Sequence, residues 1–154
     1  MLDGALNVAT ASPGYSGTPL ARKLGIVAGS RVVVVHAPAD YLAWLAPLPE
    51  GVRLATELSA AVDVVHVFAD RRAELAAQLD SLRQRIAPAT AVWVSWPKKA
   101  SKVPTDVTED VIRELALPIG FVDVKVCAVS AVWSGLKLVI RKELRGQPTG
   151  GLRR

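Results

Sequence analysis

Three stretches of this chain are apolar almost without a break: Arg31–Ala37, Val62–Phe68 and Ala91–Trp96. Within Arg31–Ala37 four valines follow one another. A strand with one face in water alternates apolar and polar side chains, whereas a strand covered on both faces does not. Such runs therefore predict parallel strands held between helical layers. Arg71–Ile86 supplies one helix, with Leu75, Leu79, Leu82 and Ile86 on a single stripe and Pro88 closing it.

The remaining elements follow from punctuation. Thr18, Pro19 and Gly25 read as N-cap, first position and C′ of a short helix. Ala39–Ala46 reads as a helix ended by Pro47 and Pro49, and 51–55 as a short second strand. Asp106 with Glu109 reads as a capping box opening another helix, lined by Val107, Val111, Ile112 and Leu115. Phe121–Val129 and Trp133–Arg141 are separated by only Ser130-Ala131-Val132, too little chain for a parallel crossover, so they are expected to pair antiparallel. The expectation is an α/β fold: a mostly parallel, twisted, Rossmann-like sheet with a C-terminal antiparallel β-hairpin. Residues 14–141 form the domain, 1–13 a flexible lead and 142–154 a flexible basic tail.

With 154 residues, 51% of them hydrophobic, one domain with a real core is expected. No basic region leads into an apolar one at the N-terminus, and no apolar run approaches a membrane span of about 20 residues, so a cytoplasmic, non-membrane protein is expected. The single cysteine, Cys127, excludes an internal disulfide; it falls mid-strand and is read as inert. Of the net charge of +5, the segment 141–154 carries +4, from five basic residues and one acid. That distribution gives salt-sensitive attraction to polyanions rather than a shaped face, so no specific nucleic-acid partner is expected.

Two resemblances rest on these residues. The strand entered from Gly29-Ser30-Arg31, the run Val62–Val65, the segment Pro88–Trp96 and the closing hairpin together resemble a class I S-adenosylmethionine-dependent methyltransferase core. The strings Gly14–Leu20, Ser95–Ser101, Val122–Val129 and Trp133–Lys137 resemble the bacterial family called domain of unknown function 3052, which implies no particular activity. The first resemblance implies a glycine-rich loop after the first strand, where backbone approaches the cofactor closely. Here His36-Ala37-Pro38-Ala39-Asp40-Tyr41 stands there instead, without glycine. The same resemblance gives Glu57 the place of an acid that holds ribose hydroxyls, although the helix that ordinarily follows it is missing.

Open α/β sheets bind ligands beyond the carboxyl ends of their strands. That edge is expected to collect His36 and Asp40, Asp70 and Arg71, then Trp96, Lys98, Lys99 and Lys102, with Trp133, Ser134 and Gly135 from the hairpin and Tyr15-Ser16-Gly17 folding over. The candidate ligand set is His36, Glu57, Trp96, Lys98, Lys99, Trp133 and Ser134. Trp93 and Trp96 are three apart and so belong to opposite faces. His66 is read as a hydrogen-bonded core residue. No catalytic set, metal site or named cofactor can be assembled, since no Gly-x-Ser-x-Gly elbow, phosphate loop or dinucleotide fingerprint occurs. The first reading is a non-catalytic module binding an anionic small molecule or a protein partner. A structural homodimer through a sheet edge and a divergent S-adenosylmethionine-dependent methyltransferase are the alternatives.

Overall fold

The computed structural model describes residues 18–59 and 61–146. The 1–13 lead, the Tyr15-Ser16-Gly17 segment and the end of the basic tail lie outside the described residues. Among the described residues, four α-helices and six strands follow in order: α1 (Leu20–Lys23), β1 (Arg31–Val35), α2 (Tyr41–Leu45), β2 (Arg53–Ala55), β3 (Val64–Phe68), α3 (Arg72–Arg85), β4 (Ala91–Pro97), α4 (Glu109–Ala116), β5 (Phe121–Ala128) and β6 (Trp133–Ile140). One six-stranded sheet has the order β2-β1-β3-β4-β6-β5. The β2-β1-β3-β4 half is parallel, and β6 joins antiparallel between β4 and β5.

Continuous hydrophobicity resolves into two cores. Val33, Val65, Val67, Val92 and Val94 face Leu75, Leu79 and Leu82 of α3 and Ile112 of α4. Val32, Val34, Val64, Phe68 and Trp93 face the other way, onto Leu20 and Ala21 of α1 and Tyr41 and Leu45 of α2. All five residues of β3 are buried, as a central parallel strand requires. Each fully buried leucine of α3 contributes roughly 1.5–3 kcal/mol of transfer free energy. No helix among the described residues is long and apolar enough to cross a membrane.

Two capping expectations are corrected. Thr108, not Asp106, caps α4, its hydroxyl accepting from Val111 N–H at 3.1 Å. Asp106 instead accepts from Arg72 N–H at 2.6 Å, at the start of α3. The physical reason is that α3 opens on Arg71, whose side chain has no acceptor, so its orphaned N–H groups draw a carboxylate from the facing loop. Likewise Pro19, not Thr18, occupies the cap position of α1. Gly25 stands at C′ with φ 79°, in the left-handed turn read for it.

The hairpin is pinned at both ends. The Ser130 hydroxyl accepts from Val132 and Trp133 N–H in its turn. At the other end Arg113 of α4 donates to Asp123 of β5 at 2.9 Å and also holds Glu109 and Asp110. Gly120 turns the chain into β5 at φ 109°, with Arg83 donating to Ile119 O beside it. A Cβ on Gly120 would stand 2.9 Å from both Arg83 Nε and Leu144 Cδ1. Gly120→Ala is therefore expected to cost about 1–2 kcal/mol, seen as a lower urea midpoint with unchanged slope.

Candidate functional site

The sheet reverses its order between β1 and β3: β2 lies to one side of β1, and the chain then returns to place β3 on the other. The described residues of the connection 56–63 form no helix, and Leu58 and Val62 pack into the α3 side of the core. In an open α/β sheet the crevice at such a reversal is where a ligand enters.

His36 stands at that point, immediately after β1, with φ 58°. A non-glycine residue seldom takes the left-handed region, and strain of this kind concentrates at functional positions. The ring is exposed, and its Nδ1 lies 3.8 Å from Glu74 Oε2 in the first turn of α3. Ala55, the last residue of β2, is in register with Val33 of β1, and Glu57 follows two residues later, exposed. On the β3 side, Asp70, Arg71, Pro104, Thr105 and Asp106 line a shallow cavity of about 250 Å³. Its walls are stapled by Thr105 Oγ1 donating to Asp70 O at 2.7 Å and Asp106 N–H donating to the same carbonyl at 3.3 Å.

Beneath the first loop lies a buried polar chain. The Tyr41 hydroxyl is 2.7 Å from His66 Nδ1, and His66 Nε2 is 2.7 Å from Ser95 Oγ. His66 is wholly buried and stacks on Phe68 at 4.3 Å between ring centroids. Tyr41 meets both rings edge-on, and Phe68 meets Trp133 edge-on at 5.1 Å. Burial lowers the His66 imidazole to a pKa of about 3 and pushes the Tyr41 phenol well above its ordinary range. Both groups are thus neutral at ordinary pH. The network fixes α2, and with it the loop that carries His36, onto the floor of the sheet.

The structure divides the candidate ligand set. His36 and Glu57 border the reversal. Trp96 does not join them: it is buried in the α3–α4 core, on the face opposite Trp93, whose indole N–H donates to Leu24 O at 2.9 Å. Lys98 is half-buried and Lys99 exposed, in a turn that Ser101 Oγ closes by donating to Lys98 O at 2.7 Å; Lys102 follows at φ 63°. Trp133 and Ser134 are half-buried opposite Pro97 and Trp96 at the start of β6. Tyr41 and Glu74 were not among the residues gathered from sequence. Their partners are 25 and 38 positions away in the chain, so no local spacing announces them.

No protein-family model matches the chain, and no curated protein matches it, so the likeness to domain of unknown function 3052 gains no support there. Solved structures do match. A protein from Sulfolobus solfataricus assigned as a type 11 methyltransferase aligns with a TM-score of 0.54 and 12% identity, over 88% of this chain and 94% of its own. LepI in complex with S-adenosylmethionine aligns at 0.51 and 11% identity over 86% of this chain, which spans only 50% of LepI. At such identities these likenesses establish the class I methyltransferase-like fold and nothing finer.

The pH dependence of stability follows from His66. An unfolded imidazole titrates near 6.5 and the folded one near 3, so the unfolded chain takes up the proton first. The contribution is complete above pH 6.5 and is lost as pH falls towards 3, by roughly 1 kcal/mol per pH unit. Urea unfolding across that window should show the slope. His66→Phe, which strands the Tyr41 and Ser95 hydroxyls, should be less stable at neutral pH yet show a shallower slope. An equal slope in the variant would remove the assignment.

Proposed function

We propose that the chain is a divergent protein of the S-adenosylmethionine-dependent methyltransferase type, with an adenosyl ligand seated at the carboxyl edge of β1, β2 and β3. The observation that carries this reading is the placement of a left-handed His36 and of Glu57 after the carboxyl ends of the neighbouring parallel strands β1 and β2, at the reversal of strand order. The fit differs at the two ends of such a ligand. At the ribose end, an exposed carboxylate suits two adjacent hydroxyls. At the methionine end, His36-Ala37-Pro38-Ala39-Asp40 offers a Cβ at every position and no N–H at Pro38, so side chains rather than close backbone would make the contacts. His36 keeps the left-handed turn that a glycine would otherwise provide.

When bound, S-adenosylmethionine supplies an activated methyl group. In this reading Glu57 holds the ribose, Asp40 faces the amino-acid portion, and His36, beside Glu74, is placed to accept a proton from an incoming group. Calorimetric titration with S-adenosylhomocysteine tests it. Binding is expected in the micromolar to millimolar range, weakened about tenfold by Glu57→Ala. No heat at millimolar ligand would overturn the reading.

A second reading, a non-catalytic module for an anionic small molecule or a protein partner, draws on the Lys98–Lys102 turn. Three lysines stand there on backbone held by Ser101, whose hydroxyl also accepts from Val103 N–H. It predicts a thermal shift with dicarboxylates or phosphates that disappears in the Lys98→Ala/Lys99→Ala double variant. A shift that survives the double variant, or no shift at all, would count against it.

A further inference from the structure

The outer strand of the sheet carries a feature independent of the adenosyl reading. β5 stands at the end of the strand order, and among the described residues no strand lies beyond it. Its eight residues, Phe121–Ala128, therefore turn a row of backbone N–H and C=O groups outward. Val124 and Val126 are exposed on it. The opposite edge, β2, is only three residues long. A long apolar edge is a template for pairing, and every copy of the chain presents the same one.

Lys125 lies in the middle of this edge. It is in register with Lys137 of β6, which is in register with Trp93 of β4. Trp93 packs with Leu20 and Ala21 of α1, so both lysines belong to the α1 face of the sheet. Residues two apart share a face in a regular strand, yet Asp123 is in register with Leu138 of the α3–α4 core. The register slips between Asp123 and Lys125, and the extra residue turns Lys125 to the α1 side. There it faces a like charge, which is destabilising across a strand pair. Neither lysine has an ion-pair partner among the described residues. Lys137 is half-buried, and Lys125 is exposed because the sheet ends beside it. A neutral β-branched residue at position 125 would serve the single chain better.

We infer that Lys125 bars β5 from pairing with a second copy of this chain. Antiparallel pairing over the whole strand matches Phe121 with Ala128 of the copy. It thereby places Lys125 opposite Val124 of the copy and next to the other Lys125. The two Lys125 and two Lys137 side chains would then stand together on one face, four cations across four adjacent strands. Each Lys125 would also lose the water it reaches past the open edge, and its stem would be covered by the added strand. The residue that lowers the stability of the single chain thus keeps it single.

Sedimentation equilibrium and urea unfolding of the full chain test this, on Lys125→Thr, Lys137→Thr and Lys125→Glu beside the unaltered protein. The unaltered chain is expected to be monomeric up to about 100 µM. Lys125→Thr should have a higher urea midpoint and should self-associate at least about tenfold more tightly, with amide exchange slowed across Val122–Cys127. Lys137→Thr removes the same repulsion but leaves the edge lysine, so its midpoint should rise while it stays monomeric. Lys125→Glu should also stay monomeric, because its copies still repel one another. A Lys125→Thr chain that is monomeric at about 100 µM would overturn the inference. So would an unaltered chain that already pairs through β5, or a Lys137→Thr chain that associates as tightly as Lys125→Thr.

Discussion

A strand buried along its whole length has no place for a polar group without partners, and β3 carries one. His66 lies between Val64 and Phe68 with no exposed surface, so both ring nitrogens must be satisfied from within. Ser95 satisfies one from the neighbouring strand and Tyr41 the other from α2. The second contact has the wider consequence. It draws a five-residue helix, too short to hold itself, onto the sheet and so sets the path of the loop from His36 to Asp40. Phe68 and Trp133 extend the same aromatic packing to the hairpin, so the floor of the carboxyl edge is continuous from β1 to β6.

That floor shapes what the edge offers. Where a glycine-rich loop would present bare backbone, this chain presents side chains on a strained turn. His36 pays for its left-handed conformation close to the Glu74 carboxylate, which α3 brings over from the far side of the reversal. The α3 terminus is itself held by Asp106 from the loop after β4. The start of α3 thus ties the loop after β1 to the loop after β4, while His36 and Glu57 face solvent.

Much of the architecture was legible in the chain. Uninterrupted valines marked the parallel strands, leucines at helical spacing marked α3, and three residues between two long runs marked the hairpin. These readings hold because burial of apolar surface acts through side-chain period, which is a local property. The capping of α4 was misread because Asp106 suits either of two helix ends, and the choice depended on which end lacked an acceptor of its own. Trp96 was placed at the crevice from its position at a strand end, but the alternation of the strand turned it into the α3–α4 core.

By itself the sequence determined the class of fold, the order of its elements and which residues stand at the carboxyl ends of its strands, because hydrophobic period and turn chemistry are written over short distances. Only the tertiary structure decided that Tyr41 and Ser95 complete His66 and that Glu74 faces His36. Hydrogen bonds and charge depend on ångström-scale approach between segments far apart in the chain, and no spacing within a segment encodes that approach.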